Sequence, residues 1–113
     1  MSSVADKLRA ARRIEIKVGD LTFSGTRATP EQFSRYATQA STDAEVCRVH
    51  IDGWENVKES DLIEGGGKDQ IKFNRDDFSE AIADKPEWYR PIVAKILEDA
   101  QERFSKRAEN EKK

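Results

Sequence analysis

Cys47 and His50 are the two residues of this sequence that come nearest to catalytic chemistry. They lie three positions apart in a predicted helix, so their side chains can share one face. An imidazole beside a thiol can activate the thiolate, but that nucleophile also needs an oxyanion site and an orienting group. Asp52 and Glu55 follow closely, and nothing in the pattern marks either as that group. We therefore predict a small, buried Cys47, a partly exposed His50, no catalytic residues and no enzymatic activity.

The segment 55–70 is acidic and rich in glycine, which raises the question of metal or phosphate binding. Its carboxylates do not have the spacing of a calcium loop, and residues 65–68 (Gly-Gly-Gly-Lys) do not have the spacing of a phosphate loop. A structural zinc site needs about four Cys or His ligands, and the chain has one Cys and one His. The segment is predicted to be a solvated loop, with no metal site and no cofactor.

Aromatic side chains are the better candidates for contacts with a partner. Trp88 and Tyr89 are adjacent, so on a helical turn they point in different directions, and one of them is a candidate for an exposed anchor. Trp54 is the second candidate partner-binding position. For each aromatic residue, packing in the core is the more common role.

Composition limits the class of protein. The chain has 113 residues, enough for one ordinary domain. Leu, Ile, Val and Phe make up about 20% of it, which is close to the level at which disorder is common. The 20 basic residues nearly cancel the 22 acidic ones, however, and disorder usually requires a high net charge as well. We predict a small, polar, folded core with loose ends.

The charge is unevenly distributed along the chain. Residues 1–13 carry a net charge of +3, residues 102–113 carry +2, and the residues between them carry -7. Binding to nucleic acid needs a basic footprint for the phosphates, so the acidic body argues against it, and only the basic ends favour it.

The sequence predicts neither a membrane span nor a signal peptide. Its longest apolar runs are two or three residues, far short of about 20 for a transmembrane helix. One cysteine cannot form a disulfide within the chain, so a reducing cytoplasm is the expected compartment. No small-molecule substrate is predicted, and the oligomeric state is left open.

Two alternating runs predict a β-hairpin. Residues 14–18 and 21–26 each alternate apolar and polar side chains, and Gly19-Asp20 separates them. A type II′ turn is one option for this pair. Residues 71–73 are predicted to be a short extended segment that could pair with the hairpin as a third strand.

Capping patterns and apolar spacing predict the helices. Residues 3–12 are predicted to be a short helix or a frayed arm, and Thr29 and Thr42 each start a helix with a capping box. The second of these ends at Gly53 as a left-handed cap. Asn74 begins another helix, which ends before Pro86. A turn follows, and then Pro91 starts a long amphipathic helix whose apolar row is Ile92, Ile96, Ala100 and Phe104.

The predicted architecture is α+β. An N-terminal β-hairpin, with a possible third short strand, packs against about four short helices, and a long amphipathic helix lies at the C-terminus. Residues 1–12 are predicted to be an arm or short helix, 13–104 a single globular domain, and 105–113 a charged flexible tail.

A sequence motif and the order of elements around it carry a family resemblance. Residues 50–57 contain Gly53-Trp54-x-x-Val57, and an acidic segment, a glycine-rich loop and an Asn-capped helix follow. Pro86-Glu87-Trp88 then leads into the last helix, and the hairpin and Thr29-Pro30-Glu31-Gln32-Phe33 precede the motif. This order, over residues 10–100, resembles the small tail assembly chaperones of long-tailed, siphovirus-like bacteriophages and prophages.

The resemblance implies a transient binding function in the cytoplasm of a bacterial host. Such chaperones bind the long, helical tape measure protein before assembly, cover its apolar stripes and help to recruit tail tube subunits. They are absent from the finished virion. The resemblance marks Gly53, Trp54 and Val57 as family-like residues, and it assigns no partner contact to any residue of this chain.

Two other functions stay open. The first is a structural phage component, such as a minor tail or head-tail connector subunit, which would remain in purified virions. The second is a small nucleic-acid-binding regulator that uses the basic ends, which would bind DNA with a steep dependence on salt.

Overall fold

The computed structural model describes residues 3–38 and 41–111 of the chain. Within these ranges the protein has a three-stranded antiparallel sheet and six helices, which confirms the predicted α+β class. In chain order the elements are α1 (Val4–Ala11), β1 (Arg13–Val18), β2 (Leu21–Thr26), α2 (Pro30–Thr38), α3 (Asp43–His50), β3 (Ile51–Glu55), α4 (Glu59–Leu62), α5 (Arg75–Ala83) and α6 (Pro86–Glu111).

Strands β1 and β2 form the predicted hairpin. They pair antiparallel, with Val18 opposite Leu21 at the turn. Gly19 has a φ of 61°, whereas Asp20 is not in the left-handed region. A positive φ at only the first central residue is the pattern of a type II′ turn, in which glycine is favoured at that position.

The third strand is β3, and the sequence predicted helix for most of this segment. Helix α3 ends at His50, and the chain continues directly into β3, where Trp54 lies opposite Phe23 of β2. The prediction that Gly53 caps a helix is therefore wrong. Pairing with β2 and burial of Trp54 are contacts with distant parts of the chain, and they override the local helical pattern.

Residues 71–73, predicted to supply the third strand, lie outside the sheet. β3 takes the position beside β2 and completes the three-stranded sheet, with β1 on the other side of β2. The Ile71 N–H instead donates to the Val57 carbonyl over 2.8 Å, and one isolated bridge pairs Lys58 with Gln70. This segment therefore closes the loop that follows β3.

The predicted helix starts are confirmed at three positions. The Thr29 hydroxyl accepts from the Gln32 N–H over 3.2 Å, and the Gln32 side chain accepts from the Thr29 N–H over 2.9 Å. Thr42 forms the same reciprocal capping box, and the Asn74 side chain caps α5. Such caps satisfy backbone N–H groups that have no partner within the helix.

Helix α6 starts at Pro86, five residues before the predicted start. Pro91 lies inside the helix, where its ring removes one backbone hydrogen bond. Trp88 and Ile92 are one turn apart and both are buried, so the helical path places two large side chains in the core. That burial outweighs the cost of the proline.

The N-terminal end takes the short-helix form, one of the two forms predicted for it, whereas the C-terminal end differs from the predicted tail. Residues 4–11 are helical, although none of them is buried. Helix α6 continues to Glu111, beyond the predicted start of a flexible tail at residue 105. Met1, Ser2, Lys112 and Lys113 lie outside the described residues.

The core lies between the sheet and helices α3, α5 and α6. Aromatic rings form its centre, because the ring centroid of Phe23 is 5.1 Å from that of Trp88 and 6.2 Å from that of Phe78. Aliphatic side chains from all three helices surround them. This arrangement explains how a chain with few aliphatic residues folds, since aromatic rings bury large apolar areas.

Candidate functional site

An apolar groove lies between α1, the segment after β2, and α6. Its volume is about 310 Å³. The apolar lining comes mainly from Ala28, Pro30, Phe33, Ala100 and Phe104. Because these residues come from two distant parts of the chain, 28–33 and 100–104, the groove exists only in the folded protein.

Small side chains leave this groove open, and one large side chain is exposed beside it. Ala28 and Ala100 are buried and form part of the lining. Phe104, one turn beyond Ala100 on the same face of α6, is 56% exposed. The apolar row of α6 therefore continues past the point where the rest of the domain covers it.

Among the side chains that the structure describes, the charged ones that line the groove are three arginines: Arg12, Arg27 and Arg103. Asp99 of α6 lies between two of them, with its Oδ2 atom 3.5 Å from Arg27 Nε and 3.4 Å from Arg103 Nε. Arg27 Nε and Asp99 Oδ2 are buried, and neither makes a hydrogen bond to a described residue. Arg12 makes no ion pair with a described side chain. Asp99 is thus close to two of the three arginines, and the groove lining carries an excess of positive charge.

Helix α1 presents an uncovered apolar row beside the groove. Val4, Leu8 and Ala11 are spaced by four and three residues, so they share one face of the helix. Val4 is 73% exposed and Leu8 51%. Ala11 lines the groove, so this face leads into it. A capping box between Ser3 and Asp6 stabilises the first turn of α1 without any burial.

Trp88 lies in the core, so it is not the exposed anchor that the sequence predicts at one of the two positions, Trp88 or Tyr89. It is 5% exposed and packs against Phe23, and the Lys85 ammonium lies 5.2 Å from its ring centre. The physical reason is the early start of α6. Because α6 starts at Pro86, Trp88 lies one turn before the buried Ile92 and on the same face of the helix.

Tyr89 is partly buried and borders a shallow surface with Arg48 and Arg90. Its backbone carbonyl lies 3.9 Å from the Cys47 sulfur, which is within the range of a weak S–H donor. The partner-binding role of Tyr89 stays a prediction.

The residues of the family-like motif lie in β3 and just after it. Trp54 is buried, and its indole N–H donates to the Ile71 carbonyl over 2.9 Å. A Cβ atom on Gly53 would lie 2.6 Å from the Ser24 hydroxyl oxygen, so the strand pair is close there. Val57 is fully buried. The hydrogen bonds of Ile71 with the Trp54 indole and the Val57 carbonyl hold the loop after β3 against this strand. The burial of Trp54 does not support a partner-binding role for it.

Cys47 and His50 are both buried, so the prediction of a partly exposed His50 is wrong. The imidazole Nδ1 atom lies 3.0 Å from the Thr26 carbonyl, to which it must donate, and Nε2 lies 2.7 Å from the Tyr36 hydroxyl. Both ring nitrogens are therefore occupied. Burial lowers the pKa of His50 and raises the pKa of the Cys47 thiol to about 12. A protonated thiol is a poor nucleophile, so this pair does not form a reactive site.

Within residues 3–38 and 41–111, no cluster of three or more His, Cys, Asp or Glu side chains is placed to hold a metal ion. Over the same residues, no helix is both long enough and apolar enough to cross a bilayer.

Comparisons with known proteins do not assign a family. The chain matches no protein-family model, no curated protein and no solved structure. The resemblance to tail assembly chaperones therefore rests on the sequence motif and the order of elements, and it stays a prediction.

The groove was not predicted from the sequence, although the sequence contains two signals of it. Phe104 ends the apolar row of the last helix, after which charged residues dominate. The basic excess at both ends of the chain was the second signal. Only the fold brings residues 11–12 and 100–104 to the same place.

Proposed function

We propose that this protein is a tail assembly chaperone of a long-tailed bacteriophage or prophage. In the host cytoplasm it binds the unassembled tape measure protein, covers its apolar stripes, helps to recruit tail tube subunits and is then released. The proposal involves no catalytic step. It combines the motif at Gly53, Trp54 and Val57 with a surface suited to binding a helix.

The observation that supports the proposal is an uncovered apolar surface beside a groove. Val4, Leu8 and Phe104 are all more than half exposed, and Ala11 connects the row of α1 to the groove. Exposed apolar surface costs free energy in water, and contiguous patches commonly mark sites of protein interaction. A chaperone for amphipathic helices needs such a surface, because apolar side chains of the client must leave water on binding.

Co-expression with the tape measure protein of the same phage tests this function. We expect the wild-type chain to increase the soluble fraction of the tape measure protein and to co-purify with it. The double substitution Leu8→Ser and Phe104→Ser should reduce both effects. Both side chains are exposed, so the free energy of unfolding should change by less than about 1 kcal/mol.

A matched control uses an exposed apolar residue away from the groove. Ile63 is 61% exposed, and Ile63→Ser should leave co-purification unchanged. Failure of the wild-type chain to co-purify with the tape measure protein or to solubilise it would reject the proposal.

Purified virions separate the chaperone from a structural tail component. We expect mass spectrometry of intact particles to find no stoichiometric amount of this chain. Its presence at one or more copies per tail would favour a minor tail or connector subunit. Retention on DNA at low salt, lost steeply as salt increases, would favour the regulator.

A further inference from the structure

We propose that the groove is the docking site for a partner helix whose apolar row is flanked by carboxylates. This inference rests on the proposed function for the helical nature of the partner. It adds the location of the site and the charge of the segment that binds there.

The apolar part of the surface fits one face of a helix. The groove volume of about 310 Å³ is at the lower limit for small-ligand cavities, which hold about 300–1,000 Å³. The exposed Leu8 and Phe104 extend the apolar surface beyond it. A shallow site of this kind takes successive side chains at positions i, i+3, i+4 and i+7 of a bound helix.

Charge determines which helix fits. Arg12, Arg27 and Arg103 line the groove, and none of the carboxylates that the structure describes lines it. The nearby Asp99 can neutralise only one positive charge. The whole chain has a net charge of -2, so the basic character of the groove runs against the charge of the rest of the protein. Complementary charges around an apolar contact increase the association rate and exclude partners of the wrong sign.

The apolar lining favours a helix over nucleic acid as the occupant. A nucleic-acid site needs basic side chains along a continuous track of phosphates. Here the arginines border an apolar surface formed by Ala28, Phe33 and Phe104. An acidic amphipathic helix satisfies both parts of the surface at once, with apolar side chains in the groove and carboxylates facing the arginines.

Two synthetic peptides test the charge preference. Each has about 20 residues, roughly 30 Å as a helix, and the same row of leucines. One carries Glu beside the row and the other carries Lys. Fluorescence anisotropy with the full chain should give a dissociation constant at least about tenfold lower for the Glu peptide. The preference should shrink as salt rises from about 0.05 M to about 0.5 M.

Charge reversal locates the site. Arg12→Glu, alone and with Arg103→Glu, should remove the preference for the Glu peptide, whereas Arg12→Lys should retain most of it. Lys72→Glu makes the same change of charge on an exposed side chain outside the groove and should have no effect. Thermal melting of each variant checks that it is folded. The double variant loses the ion pair between Arg103 and Asp99. If this loss unfolds it, the single variant Arg12→Glu still tests the inference.

Several results would overturn this inference. One is equal affinity of the wild-type chain for both peptides. Another is an unchanged preference for the Glu peptide in folded Arg12→Glu and in the double variant. The third is tighter binding to a labelled DNA duplex than to the Glu peptide. A dimer in analytical ultracentrifugation that is disrupted by Phe104→Ser would assign the groove to a second copy of the chain.

The outcomes separate this inference from the proposed function. If the tape measure protein co-purifies equally with the wild-type chain and the Arg12→Glu, Arg103→Glu variant, the function stands and the docking site is wrong. If the Glu peptide binds through the arginines but the tape measure protein does not bind, the docking site stands and the function is wrong.

Discussion

The Tyr36 hydroxyl and the His50 Nε2 atom lie 2.7 Å apart, and this hydrogen bond joins α2 to the end of α3. The other ring nitrogen of His50 is 3.0 Å from the Thr26 carbonyl at the end of β2. The rings of Tyr36 and His50 also meet edge to face, with centroids 5.6 Å apart. One buried imidazole thus connects three elements, and both of its nitrogens are satisfied.

The burial of His50 predicts a loss of stability in mild acid. Stability rises with pH wherever the unfolded chain binds more protons than the folded protein. The unfolded histidine titrates at about pH 6.5, and burial lowers the pKa of His50 in the folded protein. The contribution of His50 to the free energy of unfolding is therefore complete above about pH 6.5. It is lost as the pH falls to the lowered pKa of the folded protein, by at most about 1.4 kcal/mol per pH unit.

Urea unfolding at about pH 7.5 and about pH 5 measures this effect. His50→Gln removes the titrating ring, so the variant should lose less stability than the wild type between the two pH values. The carboxylates are common to both chains, and their contribution cancels in the comparison. Equal pH dependence in the two chains would show that His50 does not carry the effect.

Gly25 should not tolerate even a methyl group. A Cβ atom at this position would overlap the backbone carbonyl oxygen of His50, which cannot rotate away as a side chain can. Gly25→Ala must therefore separate β2 from the junction of α3 and β3, and we expect a loss of at least about 3 kcal/mol. Gly67→Ala is the matched control, because a Cβ there meets nothing within 4 Å. Chemical denaturation of both variants compares the losses, and similar values would contradict this packing.

Substitution at Trp88 should unfold the protein, whereas substitution at Tyr89 should not. Trp88→Ala removes a buried ring that packs on Phe23, and it should cost about 3–5 kcal/mol. Tyr89 is only partly buried, so Tyr89→Ala should cost clearly less. Thermal melting followed by circular dichroism measures both losses. A melting temperature of Trp88→Ala close to that of the wild type would show that Trp88 is not a core residue.

The Cys47 thiol should be unreactive in the folded protein. It is fully buried, and burial raises its pKa to about 12, so very little thiolate exists near neutral pH. With a disulfide reagent at about pH 8, modification should be at least about 100-fold slower than in denatured protein, where the thiol pKa is about 8.5. Fast modification of the native chain would contradict this environment.

Patterns that depend on near neighbours in the chain were predictable from the sequence. The alternation in residues 14–18 and 21–26 gave the hairpin, and Thr29, Thr42 and Asn74 gave three helix starts. A capping box or a two-residue turn involves only a few adjacent residues, so its physics is present in the sequence itself. The long amphipathic helix followed in the same way from apolar spacing.

The features that bear on function depended on contacts between distant residues. Burial of Trp54 beside β2 turned a segment with helical spacing into a strand, and the early start of α6 placed Trp88 in the core. Neither effect can be read from neighbouring residues, because each depends on which distant surface is available for packing. For the same reason the burial of His50 was not predicted, because its spacing indicated a residue on the partly exposed face of a helix.

By itself, the sequence determined the α+β class, the hairpin, the helix caps, the apolar face of the last helix and the basic excess at the two ends. Only the tertiary structure decided that Arg12, Arg27 and Arg103 meet around one apolar groove. The reason is geometric: about 90 residues separate the first of these arginines from the last, and packing of α6 against the sheet brings them together.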